Sequence, residues 1–177
     1  MNFINQDINL VQIDECRQAG LRPVAVACII FNNKILMVYK KKYNLWQLPQ
    51  GGIKNKELPR DALRREIKEE LGKSFSLFED DFFYLGEGKI FFPFKKQGVR
   101  NLQTDEGEAV YMKGKKYFFY LVKAVKPEIN LAETEFDGYQ WVNYEQAKKS
   151  AENIYQKGKK RITLKVLNLL KNNSYIN

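Results

Sequence analysis

The feature that most constrains the fold is a predicted helix that carries an apolar stripe beside a cluster of acids. The helix runs from Pro59 to about Leu71, because proline is favoured in the first turn and Gly72 follows as a stop signal. Apolar residues at helical spacing form the stripe: Leu63, Ile67 and Leu71. Acidic residues at i, i+3 and i+4 share the adjacent flank: Glu66, Glu69 and Glu70. The carboxylates therefore border the face that a core must cover.

Two interpretations of this acidic flank are open from the residues alone. Like charges four positions apart weaken a helix by roughly a few tenths of a kcal/mol, and by more where water is excluded, so a counterion is favoured. The sequence has no histidine, and hard carboxylate oxygens favour magnesium, manganese or calcium. Alternatively, the glutamates form a solvated surface with the basic residues among them, which are Arg64, Arg65, Lys68 and Lys73.

The longer spacing pattern around the helix favours the metal interpretation. It resembles the Nudix box, in which a glycine, a glutamate, an Arg-Glu pair, a Glu-Glu pair and a final glycine stand at fixed distances. All seven fixed positions are filled, by Gly51, Glu57, Arg65, Glu66, Glu69, Glu70 and Gly72. Ile67 fills the apolar position, whereas Lys73 follows the final glycine where an apolar residue is usual. By this resemblance the chain is identified as a member of the Nudix hydrolase superfamily.

The resemblance implies both the chemistry and the residues that perform it. Enzymes of this family use Mg²⁺ or Mn²⁺ and water to cleave a pyrophosphate linkage in a nucleoside-diphosphate-linked substrate. Glu66, Glu69 and Glu70 are the implied metal ligands, and Glu57 is a supporting acid of the metal site. Arg65 is counted with the catalytic residues as the partner that holds a ligating glutamate. The general base stays open between Glu69, Glu70 and a glutamate outside the box.

Two flanking segments resemble a narrower group within the family. Residues 46–53 read Trp-Gln-Leu-Pro-Gln-Gly-Gly-Ile, as in bacterial RNA pyrophosphohydrolases and asymmetrically cleaving diadenosine tetraphosphate hydrolases. Residues 135–142 resemble a second segment of that group, whose leading glutamate is a metal ligand or catalytic residue. Glu135 takes this predicted role. The first segment supplies three expected substrate-binding residues: Gln50, Gly51 and Gly52.

Basic residues outside the box are further candidates for binding substrate. Arg22, followed by Pro23, resembles an arginine of RNA pyrophosphohydrolases that approaches the substrate phosphate, and a guanidinium can hold phosphate through two parallel hydrogen bonds. Lys113 and Lys116 resemble the basic lead-in to an aromatic strand of the same group. Solvated surface charge is the alternative for all three. The net charge of +9 fits a polyanionic partner and a lysine-rich surface equally well.

Apolar runs and turn residues predict the rest of an α/β fold, with Asn32-Asn33 as the turn of a hairpin between the first two strands and a loop around Pro49. Strands are predicted at 24–31, Lys34–Lys40, 82–85, 89–94, 116–124 and 139–142, and further helices at Tyr144–Glu152 and 159–171. Residues 95–115 are polar and contain glycine, and we predict a mobile loop there. The expected architecture is the Nudix fold, a mixed sheet in an α/β/α sandwich. We expect one domain over residues 21–177, including the C-terminal helix, after an N-terminal extension over residues 1–20.

These features together predict a pyrophosphohydrolase that removes pyrophosphate or phosphate from the 5′ end of triphosphorylated or diphosphorylated RNA. An asymmetrical diadenosine tetraphosphate hydrolase and a catalytically silent Nudix-fold nucleotide sensor are the alternatives. RNA 5′ ends or dinucleoside polyphosphates are the expected partners, and no obligate protein partner is predicted. No apolar run approaches the roughly 20 residues that span a membrane, and no signal-peptide or transit-peptide pattern is present, so we expect a cytoplasmic location.

Overall fold

In a computed structural model, which describes residues 7–78 and 82–177, a mixed β-sheet lies between two layers of helices. The strands are β1 (Leu21–Phe31), β2 (Lys34–Lys40), β3 (Leu45–Gln47), β4 (Gln50–Gly52), β5 (Phe83–Phe91), β6 (Asn101–Gln103), β7 (Ala109–Tyr111), β8 (Gly114–Lys123) and β9 (Gly138–Val142). The α-helices are α1 (Leu10–Gln18), α2 (Pro59–Leu71), α3 (Tyr144–Glu152) and α4 (Lys157–Asn172). The main sheet has the order β3-β2-β1-β8-β5, with β4 paired to β1 and β9 paired to β2. The predicted α/β architecture is confirmed.

The centre of the sheet is the parallel pair β1 and β8, aligned from Leu21 opposite Gly114 to Ile30 opposite Lys123. Successive side chains of β1 point to opposite faces of the sheet. One set packs with α1 and α2: Ala25, Ala27 and Ile29. The other set packs with α3 and α4: Val24, Val26 and Cys28. Because helices cover both faces, β1 is apolar along almost its whole length.

The predicted hairpin between the first two strands is confirmed. Asn32 and Asn33 connect β1 to β2 with φ angles of 47° and 58°, the left-handed conformation that a two-residue type I′ turn requires. Asparagine tolerates this conformation better than most residues, because its short polar side chain can bond locally. The turn therefore fixes the register at which Phe31 pairs with Lys34.

The prediction of separate strands at 82–85 and 89–94 is wrong, because the structure has one continuous strand, β5. A bulge between Tyr84 and Gly86 absorbs a shift in its register against β8. Gly88 stays within the strand, because a Cβ there would lie 2.6 Å from an isoleucine side chain of α4. The glycines that suggested strand breaks therefore mark a bulge and a close helix contact.

Residues 95–115, predicted as a mobile loop, contain the antiparallel hairpin of β6 and β7, so that prediction is wrong. Its turn is closed by a hydrogen bond from the Thr104 N–H to the Glu108 carbonyl, and Gly107 adopts a φ of 90°. Both strands are mostly exposed, so no apolar alternation marks them in the sequence. The predicted loop around Pro49 likewise contains two short strands, β3 and β4.

Helix α1 lies inside the predicted N-terminal extension and packs on the same core as the sheet. The Asn9 side chain caps its first turn by accepting a hydrogen bond from the Gln12 N–H. Ile13 and Cys16 are buried together with residues of α2 and β1. A domain boundary between residues 20 and 21 stays a prediction.

Arg17 of α1 and Asp105 of the β6–β7 turn join these two segments to the loop between β4 and α2. Arg17 is only 2% exposed, and its guanidinium donates to the carbonyls of Ile53 and Lys54 at 3.1 and 2.7 Å. It also donates to Asp105 at 3.1 Å. Asp105 accepts two further hydrogen bonds, from a side-chain amide and a backbone N–H of the same loop. Two segments distant in sequence therefore fix the backbone that leads into α2.

Replacing Asp105 with Asn should lower the free energy of unfolding by about 1–3 kcal/mol, because the buried Arg17 loses its nearer acidic partner and keeps only Asp14 at 3.6 Å. Urea unfolding followed by circular dichroism measures the change. Glu106→Gln is the matched control, since Glu106 is exposed and its side chain makes no hydrogen bond within the described residues. The control should shift stability by less than about 0.5 kcal/mol. Equal stabilities of the two variants would contradict a stabilising role for the Asp105 carboxylate.

Candidate functional site

Arg65 of α2 holds the acidic residues of the predicted site together. Its guanidinium makes two hydrogen bonds of 2.8 Å with the Glu57 carboxylate and one of 2.9 Å with the Gly52 carbonyl. It also pairs with Glu66 and, at 3.5 Å, with Glu69. Burial disfavours the charge of Glu57, yet the hydrogen bonds from Arg65 and a backbone N–H hold its pKa below the usual range. Arg65 thus has the contacts expected of a residue that positions a ligating glutamate.

Two long side chains lie directly against the paired glycines after Gln50. A Cβ at Gly51 would overlap the carboxylate of Glu66. A Cβ at Gly52 would lie 2.6 Å from a guanidinium nitrogen of Arg22. The Gly-Gly step therefore brings one acidic and one basic side chain to adjacent positions of the backbone.

Glu70 is the most buried acid of the cluster, with 7% of its surface exposed. Its carboxylate accepts a hydrogen bond from the Gln50 N–H at 3.2 Å and lies 4.0 Å from the Lys40 ammonium. Lys40 is also 3.7 Å from the Glu135 carboxylate, so it bridges the two acids. Burial raises the pKa of Glu70 to about 7, and the charges of Glu66 and Glu135 add to the rise, whereas Lys40 opposes it.

Two protein cations link the predicted metal ligands in this structure. Arg65 contacts Glu57, Glu66 and Glu69, and Lys40 contacts Glu70 and Glu135. Across residues 7–78 and 82–177, no group of three or more His, Cys, Asp or Glu side chains is arranged to hold a metal ion. The donor set nevertheless fits a hard divalent cation, because all five acids are carboxylates and Lys40 already places positive charge between two of them.

A cavity of about 570 Å³ opens beside Gln50, between the end of the sheet and the start of α4. Lysines line it: Lys96, Lys115, Lys157 and Lys159. Aromatic and apolar residues form the rest of its wall, among them Ile90, Phe91, Phe92 and Tyr117. None of its described lining residues is acidic. The cavity therefore combines apolar walls with uncompensated positive charge.

The positive charges around this cavity repel one another. Burial lowers the pKa of Lys115, and the neighbouring Arg22 guanidinium lowers it further. Burial also lowers the pKa of Lys159 to about 8, with added repulsion from Lys115 and Lys40. The Lys159 ammonium donates to the neutral Gln47 side-chain carbonyl at 2.6 Å, and the Glu70 carboxylate only partly offsets the repulsion. A bound anion would relieve this repulsion, so the cavity is suited to phosphate groups.

Of the predicted substrate-binding residues, Gln50 lines this cavity. Arg22 lies against Gly52 and beside the cavity residue Lys115, whereas Gly51 lies against Glu66. Lys116 points to the other face of the sheet, where it pairs with Glu87 at 2.9 Å. Lys113 is exposed beside Gly20. Their binding roles stay predictions. Sequence reasoning missed Lys115 and Lys159, although strand alternation places Lys115 on the same face as Tyr117.

Comparison with known proteins identifies the family. The NUDIX domain model matches residues 21–163. The RNA pyrophosphohydrolase of Actinobacillus succinogenes is 33% identical over 130 residues, which cover 71% of this chain and 63% of that protein. The RNA pyrophosphohydrolase of Aliivibrio fischeri is 30% identical over 130 residues, covering 71% and 73%. The chain belongs to the Nudix family. The matched region is less than two thirds of the Actinobacillus protein.

Solved structures show the same fold. The NUDIX hydrolase from Nitrosomonas europaea superposes with a TM-score of 0.58 at 13% identity, covering 88% of this chain and 92% of that one. The MutT NUDIX hydrolase from Burkholderia pseudomallei gives 0.53 at 19% identity, covering 81% and 95%. These structures show the fold alone, whereas the family match indicates a hydrolase that acts on phosphoanhydride bonds.

Replacing Gly51 with Ala should weaken Mn²⁺ binding by about tenfold or more, because the added methyl displaces the Glu66 carboxylate. The fold should survive, since only the flexible end of a side chain must move. Isothermal titration with Mn²⁺ measures the affinity, and thermal unfolding checks the fold. Gly138→Ala in β9 is the control, because a Cβ there would be 3.9 Å from its nearest neighbour. Unchanged Mn²⁺ affinity in the Gly51 variant would refute this role for Glu66.

Affinity for inorganic pyrophosphate should fall as the pH rises through about 8. The pKa of Lys159 is lowered to about 8, so its ammonium is charged below this pH and loses its charge above it. Lys159→Arg keeps the charge, since a guanidinium stays protonated throughout this range. Calorimetric titrations between pH 7 and 9.5 should show a loss of about tenfold in the wild type relative to the variant. Parallel pH dependence in both proteins would exclude Lys159 from anion binding.

Proposed function

We propose that the protein is a Mg²⁺- or Mn²⁺-dependent pyrophosphohydrolase that acts on the 5′ end of triphosphorylated or diphosphorylated RNA. It releases pyrophosphate or phosphate and leaves a 5′ monophosphate. The observation that carries this proposal is the lysine-lined cavity beside the acidic cluster. A polyphosphate chain can place its charged oxygens among these lysines while its reacting phosphorus faces the carboxylates.

The relatives and the sequence motifs support RNA as the substrate. Both relatives described above carry the name RNA pyrophosphohydrolase, at 33% and 30% identity. Residues 46–53 resemble the segment found in that group, and in the structure Gln50 from this segment lies between Glu70 and the basic cavity. The net charge of +9 also suits a polyanion that extends beyond the reacting phosphates.

The residues of this chain have separable tasks in the proposed reaction. Arg65 fixes the Glu57 and Glu66 carboxylates, which belong to the set that would hold the divalent cation. When bound, that cation would neutralise charge on the phosphate oxygens and acidify the attacking water. Arg22 and Lys115 would orient the substrate phosphates from the side of the sheet, because both lie beside the cavity.

The proton from the attacking water needs a carboxylate acceptor. Three residues are candidates: Glu69, Glu70 and Glu135. Glu69 and Glu135 are mostly exposed, whereas Glu70 is buried and accepts a hydrogen bond from the N–H of Gln50, which lines the cavity. This position beside the cavity supports Glu70 among the three.

A cytoplasmic location and the lack of an obligate protein partner are part of the same proposal. In the ranges 7–78 and 82–177, none of the helices is long and apolar enough to cross a membrane. Triphosphorylated RNA ends are produced where transcription takes place, which in bacteria is the cytoplasm.

The test is a substrate panel read by product mass. The wild type with Mg²⁺ or Mn²⁺ should convert 5′-triphosphorylated RNA to the monophosphate with a higher kcat/KM than diadenosine tetraphosphate. A reversed preference would indicate the dinucleoside polyphosphate hydrolase instead. No turnover of either substrate, with binding retained, would indicate a nucleotide sensor.

Glu69→Gln should lower kcat on triphosphorylated RNA by about a hundredfold or more, because it removes a carboxylate from the charge-stabilising set. The side chain is 55% exposed, so the fold should tolerate the change. Glu152→Gln, at an exposed position at the end of α3, is the matched control and should keep full activity. A Glu69 variant with wild-type kcat would remove this residue from the site.

A further inference from the structure

Exposed phenylalanines and lysines follow one another between β5 and the β6–β7 hairpin. We call residues 91–96, with the sequence Phe-Phe-Pro-Phe-Lys-Lys, the aromatic rim. Phe94 is 84% exposed and Phe91 is 56% exposed, although phenylalanine is normally placed in the core. Nothing in the hydrophobic clusters of the described chain packs on Phe94. Its ring is therefore free to stack on a partner.

The aromatic rim lies next to the first turn of α4. Ile90, just before the rim, packs so tightly on Gly158 that a Cβ there would lie 2.5 Å from the Ile90 side chain. Phe91, Phe92 and Lys96 line the basic cavity together with the start of α4. The rim thus forms one wall of the cavity and continues outward from it.

Helix α4 continues the positive charge beyond the cavity. It contains six basic residues and no acidic ones: Lys157, Lys159, Lys160, Arg161, Lys165 and Lys171. The first four, from Lys157 to Arg161, lie in the first two turns of the helix. The helix dipole is positive at this end, so cations there weaken the helix. We call Lys160, Arg161 and Lys165 the basic helix face. They line a shallow depression that meets the cavity at Lys157.

We propose that this combined surface binds the single-stranded RNA that follows the first two nucleotides. Bases stack on the exposed rings of the aromatic rim, and phosphates lie along the basic helix face. The inference rests on the proposed function, because it extends the path of the same substrate. Aromatic rings that alternate with a positively charged track are the usual means of holding single-stranded nucleic acid without reading its sequence.

Continuity with the cavity favours RNA over other anionic partners. An RNA strand whose 5′ phosphates occupy the cavity must leave it past the residues at the cavity opening, which include the aromatic rim. From Lys157 to Lys165 the helix rises about 12 Å, which matches roughly three or four nucleotides at the spacing of a stacked strand. An acidic peptide would match the charge but would leave the rings of Phe91 and Phe94 without flat partners.

Two variants with matched controls test the surface. Phe94→Ala removes the most exposed ring, and Phe78→Ala is its control, because Phe78 is 51% exposed near the opposite end of β8. The double variant K160Q/R161Q removes two charges from the basic helix face. K123Q/K126Q is its control, removing two exposed lysines from that same opposite end. Thermal unfolding checks that all four proteins fold.

Each protein is assayed on a 5′-triphosphorylated dinucleotide and on a single-stranded 12-mer with the same first two nucleotides. We expect Phe94→Ala and K160Q/R161Q to raise KM for the 12-mer about fivefold or more. Turnover of the dinucleotide should stay unchanged, and the controls should match the wild type on both substrates. Equal effects on the two lengths, or no effect on either, would overturn the proposal.

A binding measurement separates this inference from the proposed function. Fluorescence anisotropy with a labelled 12-mer that ends in a 5′ hydroxyl reports on the surface without hydrolysis. Weaker binding by the two variants and not by the controls would support the surface, even if the wild type hydrolysed neither triphosphorylated substrate. That absence of hydrolysis would count against the proposed function alone. Poly-glutamate or phosphatidylserine vesicles that displace the 12-mer as well as unlabelled RNA does would overturn the assignment to RNA.

Discussion

The site depends on one guanidinium. Arg65 bonds both oxygens of Glu57, pairs with Glu66 and Glu69, and donates to the backbone carbonyl of Gly52. Its planar fork satisfies several acceptors at fixed angles, which the single ammonium of a lysine could not do. Because the acids would repel one another, the Arg65 cation between them stabilises the contact between the loop before α2 and the helix itself.

The two halves of the site have opposite charge and meet at the Gly51-Gly52 step. Glu66 lies against the first glycine and Arg22 against the second. The acidic half is short of positive charge where Glu70 is buried, and the basic half is short of negative charge around Lys115 and Lys159. A bound divalent cation would supply the positive charge that the acidic half lacks, and a phosphate chain would supply the negative charge that the basic half lacks. Both components are therefore needed.

Local signals predicted the parts of the fold that depend on neighbouring residues. Proline at the helix start and glycine at its end define α2, and the Asn32-Asn33 pair defines the first hairpin. Spacing in the Nudix box likewise identified the acids. Contacts between distant segments have no local sequence pattern that predicts them. Arg17 and Asp105, for example, meet only when the fold is complete. Lys159 was missed for the same reason, because it reaches the site from a helix far along the chain.

The central parallel pairing has a consequence for how the chain folds. Leu21 in β1 lies beside Gly114 in β8, so the middle of the sheet closes only after a long intervening segment has been made. Such non-local pairing slows folding, because the chain loses the conformational entropy of the closed loop before the stabilising contacts form. During synthesis the early β1–β2 hairpin would emerge with both apolar faces uncovered. The nascent chain is therefore expected to need protection from self-association until β8 has left the ribosome.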